Sequence, residues 1–328
     1  MAQETTILTR QDIGTQVDIV ETIPAIEHAM GEFEQGRDYL PPKAIYQLPV
    51  DEAIAACITG YTQAADMLSM KLGQERTANP SRGLPTTNSW IAAFNPETGE
   101  LLMICDGTLP TMYRTAAAAA VSAKHLAREG AKTLAVVGAG QLGHQCIRAV
   151  SSVRDFEKIY LYDMAEHVAR RVAEDLAEQL CAPIEVIDAE TACTEADVLV
   201  TATNSREPIV QAEWIKGGTH LCCMGSDLHE KIECEMSLLP KCQIYADVIE
   251  HALQRGEVSQ AVEKGVLDEN CYVGTLGQLI NGTIHGRTNQ QHITIYDGVG
   301  IGIQDTTVVR AIYDQATSKG IGARVAFS

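Results

Sequence analysis

TLAVVGAGQLG, residues 133–143, is the stretch that decides the architecture. Thr133 to Val137 is β-favouring and apolar. It runs without a break into Gly138-Ala139-Gly140-Gln141-Leu142-Gly143, and helical spacing continues from Leu142 to Val153. Each glycine answers a different demand. Gly138 permits a tight strand-to-helix turn, Gly140 lets the backbone approach a pyrophosphate, and Gly143 lets helix and strand pack closely. The helix N-terminus then presents N–H groups and the positive end of its dipole to phosphate oxygens. Asp163 stands 20 residues beyond Gly143, at the end of the strand-like run Lys158 to Tyr162. A carboxylate there accepts ribose hydroxyls and repels a 2′-phosphate, which favours NAD over NADP. Arg170 and Arg171 nearby leave cationic contacts to a 2′-phosphate open.

Outward from this unit the pattern alternates strand and helix. A helix is expected over 167–180, and strands over 184–187, 198–202 and 220–224. That alternation predicts an α/β fold with a Rossmann-type, doubly wound parallel sheet. The preceding stretch differs. Thr6 to Leu8 reads as a strand, and Val17 to Phe33 as a helix with Ile19, Ile23, Ile26, Met30 and Phe33 on one face. Strands are expected over 44–46, 55–61 and 67–72, then a hairpin over 90–105 turning at Asn95-Pro96-Glu97-Thr98-Gly99. Tyr113 to Glu129 reads as an Ala-rich helix stopped by Gly130, and Val308 to Thr317 as a last helix. The expected domains are a smaller α+β domain over 1–115 with 306–328, and a dinucleotide-binding domain over 116–305.

The bulk properties fit that division. At 328 residues the chain is long for one domain, and 45% hydrophobic residues supply two cores. The net charge of −18 repels phosphate backbones and anionic membranes, so neither nucleic acid nor a membrane surface is an expected partner. No secretory signal is read at the N-terminus, and no apolar run approaches the roughly 18 residues of a membrane span. Ten cysteines without a C-x-x-C pair read as reduced thiols of a cytoplasmic protein, and the scattered histidines give no metal-ligand spacing.

Chemistry is expected beyond the carboxyl ends of the strands. Thr203 follows the strand at Val198, where its hydroxyl lines a cofactor or makes an ordinary turn. Asp227, in Gly225-Ser226-Asp227, follows the strand at His220; there it relays protons, holds an ammonium, or caps a helix. In so acidic a chain Lys43 (after Pro41-Pro42), Lys71 and Arg114 stand out as cations for a small anionic substrate, provided the fold assembles them.

These stations, in this order, resemble the ornithine cyclodeaminase/μ-crystallin family over nearly the whole chain. The matching motifs are Pro41-Pro42-Lys43, Lys71, Asn79 to Thr86, Arg114 to Ala117, the glycine fingerprint, Gly218-Thr219-His220, Gly225-Ser226-Asp227 with Lys231, and Asp297 to Gly300 with Gln304-Asp305. Ser205 to Val210 and Ala212-Glu213-Trp214 are similar to the archaeal-type alanine dehydrogenase branch and related imino-acid reductases. The resemblance implies a Rossmann domain plus a dimerisation domain, hence a homodimer. It implies that Lys43, Lys71 and Arg114 bind the substrate carboxylate, and that Asp227, with Lys43, is catalytic. It places Thr86, Arg114, Gln141, Leu142, Asp163, Thr203, Ser226, Lys231 and Gly298 with the glycines around NAD. The chain has His229-Glu230-Lys231 where the family often has Pro-Gly-Lys, and Asp297-Gly298-Val299-Gly300 where it usually has Asp-Ser-x-Gly.

The implied reaction interconverts an L-amino acid and its 2-imino or 2-oxo acid with NAD(H). Two other activities of such proteins stand beside it. One is cyclodeamination of ornithine to proline with internally recycled NAD, which needs an acid for the distal amine; Asp51 and Glu52 cannot be aligned to that task. The other is cofactor and ligand binding without catalysis, as in μ-crystallin.

Overall fold

The computed structural model of the chain describes residues 4–50, 53–76, 78–85 and 87–327. Thr86, Asp51 and Glu52 lie outside the described residues. The chain opens with β1 (Glu4–Leu8), α1 (Arg10–Gln16), α2 (Ile23–Phe33), β2 (Ala44–Gln47), β3 (Ile54–Thr62), β4 (Met67–Glu75), β5 (Thr87–Phe94), β6 (Leu101–Asp106) and α3 (Thr108–Leu126). There follow β7 (Thr133–Val137), α4 (Gln141–Val153), β8 (Lys158–Tyr162), α5 (Glu166–Leu176), β9 (Ile184–Val186), α6 (Ala189–Glu195), β10 (Val198–Thr201) and β11 (His220–Cys223). It ends with β12 (Cys242–Ala246), α7 (Ile249–Arg255), α8 (Ser259–Glu263), β13 (Tyr272–Thr275), α9 (Leu276–Ile280), β14 (Ile293–Asp297), α10 (Gly302–Lys319) and β15 (Ala323–Ala326).

Two compact units result: Met1–Arg114 with Ile301–Ser328, and Thr115–Gly300. The chain re-enters the first unit at Ile301, not at 306, because α10 starts at Gly302, well before the apolar spacing at Val308.

The second unit is built on eight parallel strands in the order β13-β12-β14-β11-β10-β7-β8-β9. Leu134 to Val137, Val198 to Thr201 and His220 to Cys223 are all buried, as strands covered on both faces must be. From β7 the chain winds through β8 and β9, then returns to β10 on the other side of β7. The two windings part between β7 and β10, and a crevice for ligand opens at such a switch.

The first unit is a seven-stranded sheet, β15-β1-β6-β5-β4-β3-β2, antiparallel except for β1 beside β6. Strand alternation puts Met67, Ser69 and Lys71 on the covered face of β4, and Met70 and Leu72 on the open one. Helix α10 packs on the covered face against β3 and β4. Gly60 and Gly302 make that seat: a Cβ on Gly60 would overlap the Gly302 carbonyl, and one on Gly302 the Thr59 carbonyl. The Thr306 hydroxyl, 2.9 Å from the Gly60 oxygen and 2.7 Å from Ser69 Oγ, fixes the helix over the strands.

Two helix starts are corrected. The helix expected from Val17 begins at Ile23, with Pro24 in its first turn. Ahead of it lies α1, whose N-terminus is a capping box: the Thr9 hydroxyl accepts from Asp12 N, and Asp12 Oδ2 accepts from Thr9 N. Helix α3 begins at Thr108, not Tyr113, because the Asp106 carboxylate accepts from the Thr108 and Leu109 N–H groups. Among the described residues no helix is long and apolar enough to cross a membrane.

Candidate active site

The second unit shows why its fingerprint reads as it does. Gly138 has φ +104°, and a Cβ there would lie 2.6 Å from the Ala202 oxygen. A Cβ on Gly143 would overlap the Gly138 carbonyl oxygen. Gly140 is different: a Cβ there meets nothing within 4 Å. The protein's own packing therefore does not require a glycine at 140. The space it leaves stands at the N-cap of α4, beside exposed Gln141 and half-buried Leu142, where an approaching pyrophosphate needs room. Asp163 is oriented by two backbone bonds of 2.8 Å, from Ala139 N to Oδ2 and from Ala165 N to Oδ1. One lone pair on each oxygen remains for ribose hydroxyls. These residues fit a dinucleotide.

Beyond β10 and β11 the geometry is just as definite. Lys231 Nζ lies 2.7 Å from Asp227 Oδ1 and 3.3 Å from Asn204 Oδ1. The Asp227 side chain is half exposed, while Lys231 is buried. Asp227 is thus a solvent-exposed carboxylate held by a buried ammonium. The Ser226 hydroxyl donates to the Lys231 carbonyl at 2.9 Å, so Ser226 shapes the loop and offers a ligand its backbone only. At Gly298 a Cβ would lie 2.6 Å from Met224 Cε and 2.9 Å from its Sδ. Met224 thus fills the space that a side chain at 298 would need.

Behind these loops lie four buried carboxylates; of these the sequence reading had marked Asp297 within a motif and missed Glu233, Asp247 and Glu257. Glu233 accepts from Thr201 Oγ1 (2.6 Å), Thr203 N (2.7 Å), Thr203 Oγ1 (2.8 Å) and Gly225 N (3.0 Å). Glu257 accepts from the N–H groups of Glu233 and Cys234. Asp297 accepts from Glu257 N and from the Tyr272 hydroxyl at 2.8 Å. Asp247 accepts from Val299 N and Gly300 N. Burial raises the pKa of Glu233, and burial with the neighbouring Glu233 charge raises that of Glu257 well above the carboxylate range. Burial lifts Asp297 to about 7. The available signal was faint: single acids inside apolar runs, such as Ile232-Glu233-Cys234.

In the first unit Lys71 and Arg114 converge. Lys71 Nζ stands 2.7 Å from Asp305 Oδ2, and Arg114 Nε stands 3.2 Å from Oδ1. All three are buried. Burial pushes the Asp305 pKa up, but Lys71, Arg114 and Lys43 outweigh it and hold the carboxyl below its usual range. Lys43 is thus close enough to act on the same charge. Strand parity brings Lys71 inward, the early start of α3 places Arg114, and the seat of α10 delivers Asp305. Arg114 engages Asp305 through Nε alone; among the described residues its terminal nitrogens make no hydrogen bond. They form the fork that grips a carboxylate.

A parallel-sheet dinucleotide unit joined to a cation-bearing antiparallel unit defines a class of two-unit nucleotide-dependent proteins. Residues 3–320 match the ornithine cyclodeaminase/mu-crystallin family, and the chain belongs to that family. It is 32% identical to the alanine dehydrogenase of Archaeoglobus fulgidus over 99% of both chains. It is 33% identical to the iminosuccinate reductase of Paracoccus denitrificans over 92% of this chain and 93% of that one. A solved archaeal alanine dehydrogenase dimer with bound NAD superposes with a TM-score of 0.94, at 32% identity, covering 99% of this chain and 100% of that one.

Proposed function

We propose that the protein is an NAD(H)-dependent oxidoreductase that interconverts an L-amino acid and its 2-imino or 2-oxo acid. The observation that carries this reading is the buried cluster of Lys71 and Arg114 at Asp305, with Lys43 near enough to act on it. Cations are costly to bury, and a guanidinium fork that makes no hydrogen bond among the described residues suits a substrate carboxylate. The activities of the archaeal alanine dehydrogenase and the iminosuccinate reductase support the same chemistry. So does the NAD in the solved archaeal dimer.

In this reading Lys43, Lys71 and Arg114 hold the carboxylate. The glycine loop with Gln141 and Leu142, Asp163, Thr203, the Ser226 loop, Lys231 and Gly298 hold the dinucleotide; Thr86 is assigned to it on family resemblance. NAD(H), when bound, supplies the hydride chemistry. Asp227 stabilises the cationic iminium and, with Lys43, handles the proton at the substrate nitrogen or the attacking water. The Lys231 ammonium, 2.7 Å from Asp227 Oδ1, keeps Asp227 oriented.

We infer a homodimer formed through the open face of the first unit's sheet. Leu72, Trp90 and Met70 lie exposed on adjacent strands there, 58%, 51% and 38% accessible. The ten cysteines are all free thiols, which fits a cytoplasmic enzyme.

The test is to incubate the protein with NAD and single L-amino acids and to follow NADH absorbance. Net NADH formation is expected with the true substrate. Proline formed from ornithine without NADH, or no redox turnover in either direction with any amino or imino acid, would defeat the proposal.

A further inference from the structure

Glu233 touches no candidate ligand position directly, yet three of its four hydrogen bonds reach loops assigned to the dinucleotide. Oε1 takes both the N–H and the hydroxyl of Thr203. Oε2 takes the N–H of Gly225, which opens the Asp227 loop, and the hydroxyl of Thr201. One carboxylate thus ties the ends of β10 and β11 to each other. The residue is 1% exposed, so these bonds face no competition from water. Its own backbone is held by Glu257, whose carboxylate accepts the Glu233 N–H at 3.0 Å.

We propose that Glu233 is a positioning residue for the dinucleotide, fixing Thr203 and the Gly225–Asp227 loop in the arrangement that binds it. This rests on the oxidoreductase reading above. The chemistry requires a carboxylate. Each oxygen faces one backbone N–H that cannot turn round, and one hydroxyl that can. A glutamine at 233 must set its NH2 against either the Thr203 or the Gly225 N–H, donor against donor, in both amide orientations. One of the two loops is then released.

The experiment is an NADH titration by nucleotide fluorescence, with kcat and a thermal melt, on the full-length protein. Glu233→Gln is expected to weaken NADH binding about tenfold or more and to lower kcat. Thr201→Val removes one hydroxyl from the same carboxylate but carries no nucleotide loop, so its NADH affinity should stay within about twofold of wild type. A Glu233→Gln protein that melts lower yet binds NADH and turns over like wild type overturns the proposal, and so does Thr201→Val matching its binding defect. Should Glu233→Gln fail to fold, Glu233→Asp asks the same question, since it keeps the charge but reaches one methylene less. Weakened NADH binding supports the proposal; unchanged binding overturns it. Wild-type protein that binds no NADH defeats the dinucleotide reading itself, and is told apart because no variant is needed to see it.

Discussion

Asp297→Asn should flatten the loss of stability that accompanies rising pH. Asp297 is fully buried, and burial raises its carboxyl from 3.8 to about 7. Between those values the folded protein keeps a proton that the unfolded chain has released. Stability from this group is therefore complete below the unfolded pKa and gone once pH passes the folded one. The slope is about −1.4 kcal/mol per pH unit, or about 4 kcal/mol over the whole window. Glu257 and Glu233, also raised by burial, act in the same direction. His220 opposes them: burial lowers it to about 3, so it adds stability as pH climbs to the unfolded value of 6.5. A difference measurement removes that offset. Urea unfolding of wild type and Asp297→Asn, followed by the fluorescence of Trp214 in the second unit, should be run without nucleotide from about pH 5.5 to 7. Asparagine cannot accept all of the bonds that Asp297 accepts, so the variant starts less stable. The gap between the two proteins should then narrow by about 2 kcal/mol as pH rises. Parallel curves would refute the reasoning.

Arg114→Lys keeps the charge but loses the fork; KM for the amino or imino acid should rise about tenfold in steady-state kinetics. Gly143→Ala forces a methyl into the Gly138 carbonyl, so NADH binding should collapse and unfolding should cost at least about 1–3 kcal/mol less. Gly298→Ser should displace Met224 and lower the melting temperature, while Met224→Ala in the same chain should restore it, as a melt of the single and double variants will show.

The glycine fingerprint and the strand at Lys158 were legible because local sequence alone sets them: a tight turn, a helix start and an acid at a fixed distance. Periodicity likewise marked β3, β4 and the β5–β6 hairpin. The short elements β12, β13 and α7 to α9 were not legible, since five to seven residues span at most two helical turns and a buried strand has no alternation. The start of α3 was hidden because a side chain outside the periodic run, Asp106, caps it. Lys71 and Arg114 were picked out by charge contrast, but Asp305, the residue that joins them, is remote in sequence. Glu233 was missed for the same kind of reason: its partners Thr201, Thr203 and Gly225 meet it only after the sheet has formed.

The return of α10 to the first unit also sets an order of events during synthesis. Thr115–Gly300 is contiguous and can close on itself as it leaves the ribosome. The first unit is made earlier but must wait for Ile301 onward, on the order of ten to forty seconds at ordinary elongation rates. Until then the sheet face around Gly60 stands without its covering helix, and Lys71 and Arg114 lack the Asp305 carboxylate. The part of the protein translated first is thus the last to mature. A ribosome that stalls before residue 301 would release a nucleotide-binding unit attached to a sheet whose Lys71 and Arg114 lack Asp305, a chain poised for chaperones or proteases rather than for catalysis.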